Sequence, residues 1–234
     1  MDLSNKHCFH GNSLYNIPGR WHCYGGQDPQ NVLVLNVLLL GDRQSGRSSV
    51  GNALIGGHEF PTGCCIPGVS MTTECRLLSQ NFPKYFRRQG AESDLRLRVV
   101  DTPPQMPHPQ SLSNLCPEGV HVLVIVVRAD FLPENSQLHQ HAESLLGPEW
   151  RDHSLLVLTH ADFLEEAGLH PSVYLTHTTD WLRALSEQVG GRVFFLDNSC
   201  DWPSIRGRPL RDQLLRLSAN NHHRSLRVQT EVSL

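Results

Sequence analysis

The sequence predicts an α/β fold: three layers, with a mostly parallel sheet that carries one antiparallel edge strand and has helices on both faces. Two observations lead there. Short runs that are apolar but for Asn36 and His121 recur along the chain at Val32–Leu40, Val120–Val127 and Leu155–Leu158, as strands buried on both faces require. Stretches with helical spacing separate them, and a strand–helix–strand alternation closes on itself only as a parallel sheet. At 234 residues the chain buries one such core.

Residues 1–30 mix His, Cys, Asn, Gly and Pro without an apolar period and are expected to be a flexible leader. His7, Cys8, His10, His22 and Cys23 match no tetrahedral zinc spacing. Val32–Leu40 is the first strand, and Gly41 to Gly57 turns through a Gly/Ser-rich loop into a helix carrying Val50, Ala53 and Leu54. The Gly- and Pro-rich stretch that follows enters an edge strand at Cys75, Leu77 and Ser79; Leu95–Val100 pairs with it, with Lys84–Ser93 as the polar turn. Pro103, Pro104, Pro107 and Pro109 delay the next helix to about Gln110.

Val120–Val127 is a further strand, and Glu134–Leu146 a helix stopped by Gly147-Pro148. Leu155–Leu158 precedes a helix over Pro171–Val189, which Gly190-Gly191 halts. Val193–Leu196 is the last strand and Leu210–Leu217 the closing helix, leaving a tail after His222 with no core pattern. Arg206–Arg227 is mildly basic and reads as a solvated helix face.

The chemistry gathers at the strand ends. Gly41, Gly46, Arg47 and Ser48 fit G-x4-G-K-[ST] except that arginine replaces the lysine, so the loop Gly41, Asp42, Arg43, Gln44, Ser45, Gly46, Arg47, Ser48, Ser49 is a candidate phosphate cradle. Its glycines let successive N–H groups face one point, at the positive end of the next helix. Arginine keeps the charge but brings a planar fork in place of a slim ammonium. Only Lys6 and Lys84 are lysines among 20 basic residues, so the exchange follows a bias of the whole chain.

The Ser48 hydroxyl and the Asp101 carboxylate are the oxygen types that hold magnesium. Asp162, in Thr159-x-x-Asp162, can accept two hydrogen bonds from the N1 and N2 edge of guanine, and Asn198 can reach the base from the other side. Each is separately compatible with a cap or a turn. Their order after a phosphate loop points to a guanine nucleotide.

GDRQSGRSSVGNALIG at Gly41–Gly56 resembles the loop and helix of the immune-associated (IMAP, or IAN) GTPases, septin-like P-loop proteins, and the Gly51-Asn52-Ala53-Leu54 continuation is a particularly specific part of the resemblance. Thr72-Thr73-Glu74-Cys75 is similar to their first switch and Val100-Asp101-Thr102-Pro103 to their second. The resemblance runs from about Val32 to Leu217 and is nearest to the small member consisting of the P-loop domain alone.

It implies a Ras-like IMAP/AIG-type G domain over residues 31–218, with 219–234 a flexible tail. It also implies GTP or GDP with Mg2+ as ligands, with Ser48, Asp101 and either Thr72 or Thr73 at the metal. Besides Arg47, the chain departs from GTPases at two places. His160 stands where a lysine lies along the base. Pro104 stands where a glycine donates its N–H to the third phosphate. Gln105 occupies the place of a water-orienting glutamine, and is the candidate catalytic residue. The expected protein binds GTP and hydrolyses it slowly or not at all; the alternative is a pseudo-GTPase interaction module without nucleotide. An adenine-nucleotide kinase would need an arginine lid, for which only Arg87-Arg88 offers itself.

The net charge of −3 gives no footprint for nucleic acid. Seven cysteines without a repeated C-x-x-C, and a start without a hydrophobic secretory region, fit a cytoplasmic setting. Apolar runs fall well short of the ~20 residues that cross a bilayer, so no transmembrane segment is expected. The resemblance leaves room for a homo-oligomer formed through the G domain.

Overall fold

The computed structural model describes residues 31–62, 74–88, 90–105, 107–198 and 203–230. Six strands form one sheet: β1 (Val32–Gly41), β2 (Arg76–Arg88), β3 (Ala91–Asp101), β4 (Val122–Arg128), β5 (Ser154–Thr159) and β6 (Val193–Phe195). Their order is β2-β3-β1-β4-β5-β6. All neighbours run parallel except the edge pair β2 and β3, as the sequence predicts. This is the architecture of a Ras-like P-loop G domain.

Seven helices accompany the sheet among the described residues: α1 (Arg47–Ile55), α2 (Pro109–Leu115), α3 (Leu138–Leu146), α4 (Asp162–Glu166), α5 (Pro171–His177), α6 (Asp180–Gln188) and α7 (Pro203–Asn220). Alternation along β1 sorts the core. Leu33, Leu35, Val37 and Leu39 face α1 and α7, where they meet Val50, Leu54, Leu210 and Leu214. Leu38 and Leu40 face the other layer, with Leu138 and Leu145 of α3, Trp150, and Leu182 of α6. Both faces of β1 are thus covered, and its carboxyl end opens directly into the Gly41–Ser48 loop.

Four expectations change. Lys84–Ser93 is not a turn: β2 and β3 continue to Arg88 and Ala91. A register shift between Phe82 and Phe86, with Lys84 at φ 51, hides the period of two that would have marked the strand. Beyond it Phe86 and Ser93 face inward and are buried.

The helix expected over Pro171–Val189 is two, divided at Thr178-Thr179, whose extended backbones cannot continue a helix. The break lets α6 turn Leu182 and Leu185 into the core while α5 lays the half-buried Tyr174 and Leu175 against its edge.

The segment after α7 also packs. Leu226 pairs with Val120 through two 2.8 Å backbone bonds, and Leu226 and Val228 are buried. α3 begins at Leu138, four residues later than the sequence suggests, because the residues before it form an anchored loop. The leader over residues 1–30, and Thr72 and Thr73, lie outside the described residues. Among the described residues no helix is long and apolar enough to cross a membrane.

Candidate functional site

The site lies at the carboxyl ends of β1, β3, β4 and β5, where parallel strands leave a crevice. β1 enters the loop at Gly41, and no other residue fits there. A Cβ at Gly41 would lie 2.5 Å from both the Ser45 hydroxyl and the Val126 carbonyl oxygen. Gln44 and Gly46 take left-handed backbone, φ 60 and 86, folding the loop back onto the start of α1. Gly46 caps that helix without a side chain, so the first N–H groups of α1 remain for a ligand. Thr159, at the end of β5, ties the loop down: its hydroxyl donates to the Ser45 carbonyl at 2.7 Å.

The structure brings Ser48 and Asp101 together. The Ser48 hydroxyl donates to Asp101 Oδ2 at 2.7 Å. Asp101 ends β3 opposite Leu39 of β1, and the next residue, Thr102, fixes that end by donating to the Leu39 carbonyl at 2.8 Å.

Arg47 is turned into this cluster and is only 6% exposed. Its Nη1 donates to the Gly41 carbonyl, and its Nε lies 3.7 Å from Asp101 Oδ1. Burial pulls the Arg47 pKa down, against the opposing pull of Asp101, Asp42 and Cys75. The Cys75 thiol is pushed up to about 11 by burial and by Asp101, so it stays protonated.

The second half of the site assembles between β5 and β6. His160 sits at φ 54, and its backbone N–H donates to Asn198 Oδ1 at 3.0 Å. The Asn198 N–H in turn donates to Asp162 Oδ1 at 3.4 Å. His160, Asp162 and Asn198 are therefore joined in one group. Burial and the nearby Arg128 lower the His160 pKa, so its ring is neutral at physiological pH.

Gln105 lies exposed on the loop after β3, next to a Pro104 that has no N–H to offer. Arg43 is exposed and Ser49 half-buried. The Arg87-Arg88 pair is at the wrong end: Arg88 pairs with Ala91 and Arg76 with Asp101, so the hairpin tip stands about 30 Å from the loop. An arginine lid from that tip is excluded.

Sequence reasoning missed two groups. Ser136 donates to Asp42 Oδ2 at 3.1 Å, tying the loop before α3 to the phosphate loop. Arg128 grips Asp130 through both carboxylate oxygens, at 2.6 and 2.8 Å, and its charge bears on His160. A charged residue closing the apolar run of β4 was the available signal for Arg128. Ser136 gave none, because its partner is 94 residues away.

The AIG1 family model matches residues 35–215. Immune-associated nucleotide-binding protein 8 of Arabidopsis thaliana is 26% identical over 178 residues, which are 70% of this chain and 47% of that protein. Protein 9 of the same series is 25% identical over 190 residues, covering 76% of this chain and 51% of the relative. The chain thus spans about half the length of these curated relatives.

Among solved structures, Toc33 from Arabidopsis thaliana in complex with GDP and Mg2+ superposes with a TM-score of 0.54 at 19% identity, over 85% of this chain and 88% of that one. A dimerization-deficient mutant of Toc33 gives 0.56 at 19% identity, over 83% and 88%. At that identity the structures share the fold, while the family model spans the phosphate loop and every strand of the sheet from Leu35 onward, and on that ground the chain belongs to the AIG1 family.

Proposed function

We propose that this protein binds a guanine nucleotide and turns it over slowly if at all. One observation carries the reading: a glycine-tight loop with an uncapped helix start stands between a Ser48–Asp101 pair on one side and a His160–Asp162–Asn198 group on the other. The named relatives, nucleotide-binding proteins, and the Toc33 complex with GDP support it.

The loop N–H groups and the start of α1 would receive the phosphates. The Asp162 carboxylate would accept from the guanine edge, held in place by Asn198, and the neutral His160 ring would stack without adding charge. Magnesium, when bound, screens phosphate charge; the Ser48 hydroxyl and Asp101 carboxylate, already in contact, are the oxygens of this chain that suit it. Thr72 is the further candidate for that role.

Phosphoryl transfer is catalysed by positioning and charge neutralisation. Pro104 withholds an N–H from the third phosphate, and Gln105 is the remaining group able to orient a water. The unit that does this is residues 31–218, in a cytoplasmic setting. Self-association through the nucleotide-bearing face is part of the proposal, and sedimentation with and without nucleotide tests it.

The second reading, an interaction module without nucleotide, is favoured by the buried Arg47, whose guanidinium turns to the loop's own Gly41 carbonyl. Titration with fluorescent GDP, GTP and ATP analogues separates the two. Micromolar or tighter guanine-selective binding is expected. No binding in either the wild type or Arg47→Lys would leave the interaction module standing.

A further inference from the structure

Arg47 does more than replace a lysine. Its Nε lies 3.7 Å from Asp101 Oδ1, with the two side chains 6% and 2% exposed. Its Nη1 holds the Gly41 carbonyl at the same time. Asp101 is therefore compensated from inside the protein: a guanidinium lies against one carboxylate oxygen and the Ser48 hydroxyl donates to the other.

A buried carboxylate needs a cation or several hydrogen bonds, and here the Arg47 guanidinium and the Ser48 hydrogen bond are built in. Arginine suits this because its planar fork reaches the carbonyl and the carboxylate together, and it never gives up its proton. Asp42 and Cys75 also bear on the guanidinium, and the negative Asp42 favours its staying.

We propose that Arg47 is an internal counter-ion of Asp101 that competes with magnesium for this carboxylate, so that guanine-nucleotide affinity in this protein is nearly independent of the metal. A divalent ion at the Ser48–Asp101 pair has to displace the guanidinium or sit beside a like charge. The gain that magnesium ordinarily brings is offset by the ion pair it breaks. Lysine, with a single compact ammonium, cannot hold both partners in the same way and leaves more of Asp101 to the metal.

The inference rests on the guanine-nucleotide reading above, and one experiment tells their failures apart. Dissociation constants for a fluorescent GDP analogue are measured for the wild type and Arg47→Lys, each with millimolar magnesium and with EDTA. The wild type is expected to change by less than about threefold between the two conditions, and Arg47→Lys by about tenfold or more.

Arg47→Gln serves as a second variant, its folding checked by melting, and is expected to gain metal dependence likewise. A wild type that loses tenfold or more in EDTA overturns the competition while leaving nucleotide binding intact. Equal, weak dependence in all three proteins also overturns it, since the residue then has no bearing on the metal. Absence of binding in every condition overturns the nucleotide reading and this inference with it.

Discussion

Gly41 has no room for a side chain, and one of the atoms in the way is the backbone oxygen of Val126, which cannot rotate aside. Gly41→Ala is expected to cost about 1–3 kcal/mol by urea denaturation, and to weaken nucleotide binding because the loop must open. Arg47 is the opposite case, a side chain whose removal exposes a need elsewhere. Arg47→Met leaves Asp101 buried without its cation and is expected to cost about 3 kcal/mol. A loss below ~1 kcal/mol in the same assay would show that Asp101 does not depend on it. His160 is neutral, so in the proposed site it would offer a base its ring face alone. His160→Lys is expected to tighten GDP binding about threefold to tenfold by laying a cation against the base; unchanged affinity would place the base away from residue 160.

The site depends on how α1 is held, since the phosphate loop runs into its first turn. α7 crosses α1 at Gly207, where a Cβ would stand 1.6 Å from the Ala53 carbonyl oxygen, closer than any side chain can approach. Four residues on, buried Arg211 donates to the Ala53 and Leu54 carbonyls at 2.9 and 3.2 Å and lies 4.4 Å from the centre of the Phe82 ring. It satisfies carbonyls at the end of α1 that the helix itself leaves unpaired. Gly207→Ala is expected to cost about 3 kcal/mol or more, and to lower the melting temperature along with nucleotide affinity. An unchanged melting temperature would mean that α7 can lift without loss. The sequence marks Leu210–Leu217 as a helix by its apolar spacing; that the contact before it is backbone against backbone is set by a partner helix about 150 residues earlier.

At the scale of the whole molecule, the end of the sheet opposite the site carries the buried His153 and the half-buried His121 and His223. His121 accepts a hydrogen bond from the Asn36 N–H at its Nδ1, 3.0 Å away, and His153 Nδ1 donates to the His121 carbonyl at 3.0 Å. His223, in the turn after α7 at φ 57, shares a 2.9 Å bond with Ser218. Burial first, and then neighbouring positive charge, lower His121 and His223 from 6.5 to about 4. The unfolded chain therefore takes up these protons at a higher pH than the folded one. Stability is fully present above about pH 6.5 and is lost as the pH falls toward about 4. Thermal melts from pH 7.5 to 4.5 are expected to fall through that window; a flat profile down to pH 5 would contradict the burial of these rings.

Sequence and tertiary structure divide this protein along a physical line. Periodicity, apolar runs and turn chemistry act over a few residues, and they sufficed for the order of the strands, the Gly41–Ser48 loop and the Asp101, Asp162 and Asn198 positions near the strand ends. What closes over long separations left no local trace. The Thr159 bond to the loop spans 114 residues, and the Asn36 bond to His121 spans 85. The division of the helix at Thr178-Thr179, the continuation of the hairpin through its bulge and the packing of Leu226 were likewise decided by which surfaces met. So was the direction of Arg47: its charge was plain in the sequence, but only the folded chain sets that charge against Asp101, because burial leaves the carboxylate no water to turn to.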